Sequence, residues 1–161
     1  MNRRAVQDDY PDDMSHCYGC GRLNPGGLQI KSRREEDEMV ARFRPEPGHT
    51  SMPGFVYGGL LASLVDCHAM AVATDAASRA RPEEGIERFV TASLEVHYLR
   101  PTPIGVELEI RGKIEELKGR KAVVSVRILA GGVECVRGRV VGVRLPETMY
   151  RPANRPVSNP G

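Results

Sequence analysis

Residues 53–73 read PGFVYGGLLASLVDCHAMAVA. Three glycines, Gly54, Gly58 and Gly59, lead into a run in which aliphatic residues recur at helical spacing, with no proline and a single formal charge, Asp66. The spacing predicts one long helix from about Tyr57 to Ala77. Turning at about 100° per residue, it carries Leu60, Leu61, Leu64, Val65, His68, Ala71 and Val72 on one broad face. Ala62, Asp66, Ala69, Met70 and Ala73 form an opposite face of small residues. The large face suits a covering sheet; the small face allows close approach by another chain, with Asp66 at the contact. Gly54 to Ala73 also has the length of a membrane span. Asp66 and His68 stand in its middle and much of the rest is Gly, Ala or Ser, so it reads as the buried helix of a soluble domain.

Outward from the helix the period changes from helical to alternating. Val90, Ala92, Leu94, Val96 and Tyr98 alternate with Thr91, Ser93, Glu95 and His97, the pattern of a half-buried strand. Val106 to Ile114 repeats it. After a Lys118-Gly119 turn, Lys121 to Leu129 is rich in Val and Ile, and Gly131-Gly132 opens a last strand ending near Arg144. Upstream, Leu28 to Arg33 and Glu38 to Arg44 form a hairpin around the charged turn Arg34 to Asp37. These segments predict an α+β domain in which a five- to six-stranded antiparallel sheet covers one long helix.

Composition bounds the function. A chain of 161 residues with 40% hydrophobic and 27% charged residues is one ordinary globular domain. A net charge of +2 and an aromatic content of 5% without tryptophan give no case for a nucleic-acid partner or an anionic membrane surface. The start MNRRAVQDDYPDD holds no apolar signal segment, and four cysteines fit a reducing compartment, so the expected location is cytoplasmic. Residues 1–15, polar and twice Asp-Asp, read as a flexible lead-in, 16–145 as the domain, and 146–161 as a flexible Pro-rich tail.

Glycines at a helix start leave the first backbone N–H groups unpaired and unshielded, able to donate to a developing oxyanion. Asp66 follows Gly58 by eight residues, on roughly the same side of the helix and two turns along. A carboxylate there can attack a bound carbonyl or activate the water that does. The plainer reading is a Gly-rich loop before a core helix, with an Asp that caps or pairs with another chain; spacing leaves both open. His68 is two residues from Asp66 and therefore points away from it, within the apolar face, as a packed, hydrogen-bonded histidine. Cys17-Tyr18-Gly19-Cys20, preceded by His16, has the spacing of a zinc or redox pair. Neither Cys67 nor Cys135 has a Cys or close His at the usual ligand spacing, and no βαβ context is present. The segment is therefore read as a structural turn leading through Asn24-Pro25-Gly26-Gly27 into the first strand, with no metal.

GFVYGGLLASLVDCHAMAVA, followed by TASLEVHYLRPTPIG and three long strands, resembles the hotdog-fold acyl-CoA thioesterases of the phenylacetate-pathway (PaaI-like) type. HCYGCGRLNPGGLQI is similar to a segment that precedes that domain in related members, so the resemblance covers about residues 16 to 145. It implies a hotdog fold, the sheet wrapped round the helix, assembled as a homodimer or a dimer of dimers (a homotetramer) with sites at the subunit interface. It puts the catalytic carboxylate on Asp66 and the oxyanion donor on the backbone N–H of Gly58, with Gly59 beside it. The family's Ser or Thr that places the water, from the opposing subunit, falls on Thr91. Tyr57 stands where the family shows His, and its phenol can donate to the thioester carbonyl in that role. Ser51 stands where many members have Asn, and Arg100, in the rigid exit Arg100-Pro101-Thr102-Pro103, faces CoA phosphates or solvent. The implied activity is hydrolysis of acyl-CoA thioesters. A thioester lacks amide resonance, so one donor and one carboxylate suffice and no cofactor is needed. A non-catalytic acyl-CoA-binding hotdog protein and a hotdog enoyl-CoA hydratase are the alternatives.

Overall fold

Two-residue glycine turns and alternating strands assemble the sheet. The computed structural model describes residues 4–149. In chain order the elements are β1 (Ser32–Glu35), β2 (Glu38–Phe43), α1 (Gly58–Ala80), β3 (Phe89–Tyr98), β4 (Leu108–Lys118), β5 (Lys121–Ala130) and β6 (Val133–Arg144). The six strands form one antiparallel sheet in the order β1-β2-β4-β5-β6-β3, the hotdog arrangement. Gly119, at φ 56°, and the Gly131-Gly132 pair, at φ 56° and 80°, make the tight β4–β5 and β5–β6 turns that a Cβ would strain. β1 starts at Ser32, four residues later than the alternation suggested, because Leu28 to Ile30 bond back to the loop at Tyr18 and Gly19 instead of pairing in the sheet.

The helix packs its large face onto β4, β5, β6 and the start of β3. Leu61, Leu64, Val65 and Val72 are buried there against Ile110, Val124, Val126 and Val140. Burying a Leu or Val side chain contributes about 1.5–3 kcal/mol, so this interface contributes substantially to stability. Sheet glycines let the helix come close: a Cβ at Gly112 would lie 2.7 Å from a Val72 methyl, and one at Gly138 2.5 Å from a Val65 methyl. By length and composition α1 could cross a membrane, and 78% of its apolar window is buried within the fold.

Two regions differ from the sequence reading. Residues 5–15 are packed, with 3₁₀ turns at Val6–Asp9 and Asp12–Met14 and with Ala5, Gln7, Tyr10 and Ser15 buried. Gln7 accepts from the Ser32 N–H (2.8 Å) and donates to the Ser32 hydroxyl (3.1 Å), while the Arg88 guanidinium stacks 3.8 Å from the Tyr10 ring centroid. This segment packs on α1; along the small face of the helix Ala69, Met70 and Ala73 are buried, while Ala62, Ser63 and Asp66 are half-buried. β3 is not half-buried: it is a sheet edge, paired with β6 alone, and Thr91 to Glu95 are exposed. A bulge leaves Ala92 without a partner on β6 and interrupts the strict alternation. Of the expected tail, Glu147–Met149 forms a short 3₁₀ turn, and the rest lies outside the described residues.

Candidate functional site

The loop before α1 is stitched down on both sides. Val56 donates to the Thr102 carbonyl (2.9 Å), Tyr57 to His49 (2.9 Å), and Ile104 to Gly54 (2.9 Å), which fixes where the helix begins. Gly54, at φ 91°, turns the chain at the loop tip. Tyr57 is the N-cap and offers no side-chain cap. Among the described residues nothing accepts from the Gly58 or Gly59 N–H, so both point outward at the positive end of the helix dipole. Tyr98, at the end of β3, donates its hydroxyl to the Gly58 carbonyl (2.8 Å) and ties the strand to this helix start.

A surface groove of about 460 Å³ opens beside these donors. Its walls are largely apolar, from Met52, Phe55, Leu61, Tyr98 and Leu99. Ser51, Gly58 and Arg100 line the same groove, so three of the expected site residues meet there. Arg100 donates to the Glu134 carbonyl (2.7 Å), which holds its guanidinium near the strand exit. Tyr57 is 57% exposed, and its ring lies over Gly59, where any Cβ would overlap it.

Asp66 and Thr91 make a second group. The Thr91 hydroxyl donates to Asp66 Oδ1 within one chain, with Asp66 half-buried on the open part of the helix and Thr91 exposed on β3. The pair is thus intramolecular, where the resemblance assigned the hydroxyl to the opposing subunit. Thr91 occupies one carboxylate oxygen and leaves the other for a ligand or water. Eight residues at about 1.5 Å per residue separate Gly58 from Asp66, about 12 Å along the axis. The helix-start donors and the carboxylate therefore do not reach one carbonyl carbon within a single chain.

His68 is fully buried and neutral. Its Nε2–H donates to the Met39 carbonyl (3.1 Å), so Nδ1 accepts from the Ser32 hydroxyl (2.9 Å), closing a chain of donors that starts at Gln7. Burial pushes its pKa down to about 4, only partly opposed by the bond to Met39. It is the packed histidine the helix geometry predicted. The cysteines depart from the sequence reading. Cys67 lies on α1 with its sulfur 3.7 Å from that of Cys17, and Cys20 completes a cluster of three. Hydrogen bonds from Cys20 and then Cys67 hold the Cys17 thiol well below the usual range, while Cys20 and Cys67 are pushed up. The sequence reason for setting a metal aside was the lack of a further ligand near Cys17 and Cys20, and the fold supplies one. Tyr98, tied to the helix start, and Cys67, in the thiol cluster, are the two groups at these places that the sequence reading did not single out. Tyr98 was legible only as the last apolar position of an alternating strand, and Cys67 had no signal by spacing.

Residues 53–136 match the family model of the thioesterase superfamily. That span contains the helix start, Asp66, Thr91, Tyr98 and Arg100; Ser51 and Met52 of the groove, and Cys17 and Cys20, lie before it. The acyl-coenzyme A thioesterase THEM4 of Xenopus laevis is 34% identical over 95 residues, a match that covers 59% of this chain and 39% of that protein. The chain thus spans less than half the length of the curated relatives it matches. A solved thioesterase superfamily protein from Shewanella loihica PV-4 is 44% identical with a TM-score of 0.66, over 85% of this chain and 100% of that one. The BH2602 protein of Bacillus halodurans, solved with CoA, is 26% identical with a TM-score of 0.61, over 74% of this chain and 76% of that one.

Proposed function

The chain belongs to the thioesterase superfamily, and from that premise we propose that it hydrolyses acyl-CoA thioesters at a site shared between two copies. The observation that carries the shared site is the spacing within α1. Oxyanion donor and attacking water must both lie about 3 Å from the reacting carbonyl, whereas Gly58 and Asp66 stand two helical turns apart. Two copies whose helices run antiparallel across a twofold axis set the helix start of one beside Asp66 of the other. The open edge of β3 and the uncovered strip at Ala62, Ser63 and Asp66 support this pairing, because both would otherwise be left bare. The other sheet edge, β1, is a poorer joint, with four residues of which three are charged.

In this mechanism the thioester carbonyl accepts from the Gly58 N–H, with the Tyr57 phenol as a second donor. Asp66 of the other copy, held by Thr91 at Oδ1, takes a proton from a water through its free oxygen. The water oxygen bonds to the carbonyl carbon, the negative charge passes to the carbonyl oxygen, and the helix-start donors stabilise it. The C=O bond then re-forms as the C–S bond breaks, the CoA sulfur leaves with the electron pair of that bond, and it takes up the proton that Asp66 had accepted, which returns the carboxylate to its starting state. The apolar groove at Phe55, Leu61 and Leu99 suits an acyl chain, and Arg100 at its wall suits a CoA phosphate. CoA as the ligand class is supported by its presence in the BH2602 structure. Four free cysteines support a reducing, cytoplasmic setting.

Free thiol followed over a panel of acyl-CoAs with purified protein tests the reading. Thiol release dependent on Asp66 is expected. Tight binding without thiol release would instead make it a sensor, and hydration of an enoyl-CoA without thiol release would make it a hydratase.

A further inference from the structure

A second constellation lies apart from the groove at the helix start. Cys17 and Cys20 sit in the loop before β1, Cys67 sits on α1 immediately after Asp66, and the three sulfurs all lie within 4.8 Å of one another. We propose that Cys17, Cys20 and Cys67 bind one zinc ion as three thiolates, with the fourth position open to water on the Cys17 side. All three cysteines are free. A disulfide holds its sulfurs about 2.05 Å apart, whereas two sulfurs at about 2.3 Å from one tetrahedral zinc stand about 3.8 Å apart. Cys17 and Cys67 are separated by 3.7 Å. Three thiols also cannot all pair as disulfides, whereas three thiolates and one exchangeable ligand are a complete zinc shell.

The loop is shaped around the sulfurs. Gly21 donates to the Cys17 carbonyl (2.7 Å), closing the Cys-x-x-Cys turn. A Cβ at Gly19 would overlap the Cys67 sulfur, and one at Gly21 would lie 2.6 Å from the Cys17 backbone nitrogen. Gly19 lets the turn press on the helix, and Gly21 lets it close on its own backbone. Apolar packing accounts for Cys20 and Cys67, which are buried, but not for Cys17. Cys17 is exposed, and burial gives no reason for its sulfur to be held against Cys67. A surface groove of about 260 Å³ runs past Cys17 and gives water access to the fourth position. Bound there, zinc would displace the thiol protons and staple the N-terminal segment to the helix that carries Asp66.

The test uses the full chain, purified in reducing buffer without chelator and analysed for metal, then stripped and titrated with Zn²⁺ or with Co²⁺ as a spectroscopic probe. About one zinc per chain is expected, and Co²⁺ should show tetrahedral d–d bands with thiolate charge transfer. Cys17→Ser, at an exposed position, should stay folded by circular dichroism yet bind Zn²⁺ more weakly by on the order of a hundredfold. Cys135→Ser should keep the full equivalent, since Cys135 lies outside the cluster. The proposal is overturned if the folded, reduced wild-type chain takes up no stoichiometric zinc from excess Zn²⁺. It is equally overturned if Cys17→Ser binds Zn²⁺ as tightly as wild type. None of these readouts depends on thioesterase activity.

Discussion

Replacing Thr91 with valine removes one hydroxyl and keeps the β-branched shape that suits the strand. Thr91 is exposed and its side chain makes one hydrogen bond, to Asp66 Oδ1, so stability should barely change. Catalysis should change considerably. A hydrogen bond to a charged acceptor contributes about 1.5–3 kcal/mol, the upper end applying where water is excluded. A second copy seated on β3 would exclude it. Thr91→Val should therefore slow kcat by about 10- to 100-fold, equivalent to about 1.4–2.7 kcal/mol, with KM nearly unchanged because the hydroxyl does not touch the acyl groove. The assay is thiol release at saturating acyl-CoA. Asp66→Asn should reduce turnover to near background while the protein stays folded and assembled. The double variant should be no slower than Asp66→Asn, since the hydroxyl acts through the carboxylate. Wild-type kcat in Thr91→Val, or a full additional loss on the Asp66→Asn background, would refute the assignment of Thr91.

Tyr57→Phe should slow hydrolysis by roughly ten- to a thousand-fold, the range for loss of one oxyanion-type donor, and wild-type kinetics would show that the phenol makes no bond to the carbonyl. Gly59→Ala forces the Tyr57 ring aside, because its Cβ would overlap that ring. It should lose at least as much activity as Tyr57→Phe while urea unfolding shows unchanged or slightly raised stability, alanine being the better helix former. His68 should make folding pH-dependent. Its pKa is about 4 in the fold against 6.5 unfolded, so the unfolded chain takes up a proton first as pH falls. Its contribution is intact above pH 6.5 and is lost between 6.5 and 4, about 2 kcal/mol at pH 5. Urea titrations at pH 7 and pH 5 measure this, and His68→Gln should remove that part of the slope.

The helix and the three long strands were legible because local periodicity reports which residues share a face. The boundaries of α1 and of β5 and β6 fall within a few residues of the sequence reading. Periodicity says nothing of neighbours, and the misreadings follow from that. Alternation over Val90 to Tyr98 suggested one buried face, but the strand order leaves β3 at an edge, where Thr91 to Glu95 are exposed and Val96 is only partly covered by the core. Residues 5–15 look like solvent-exposed chain by composition, yet Gln7 has a partner in Ser32, far along the sequence. The same blindness hid the third thiol, since Cys67 is 50 residues from Cys17. For the candidate site, the types and spacing of Gly58 and Asp66 suggested a helix-start donor and a carboxylate, and left a capping or pairing role for Asp66 equally open. The intramolecular Thr91–Asp66 bond and the Tyr98 tie to Gly58 depend on how β3 crosses the helix.

One working site is proposed to take its helix-start donor from one copy and its carboxylate from another. Mixing two inactive variants tests it directly. Gly58→Val sets a branched side chain against the Tyr98 ring, which already stands 3.4 Å from where a Cβ would sit, and shields the donor; Asp66→Asn removes the carboxylate. After unfolding and refolding the two together in equal amounts, half of the dimers are mixed, and each mixed dimer carries one site with both groups intact. Thiol release should return to about a quarter of the wild-type rate. No recovery from a refolded mixture shown to contain mixed dimers would mean that donor and carboxylate serve the same site from the same chain, and the shared-site account would be wrong.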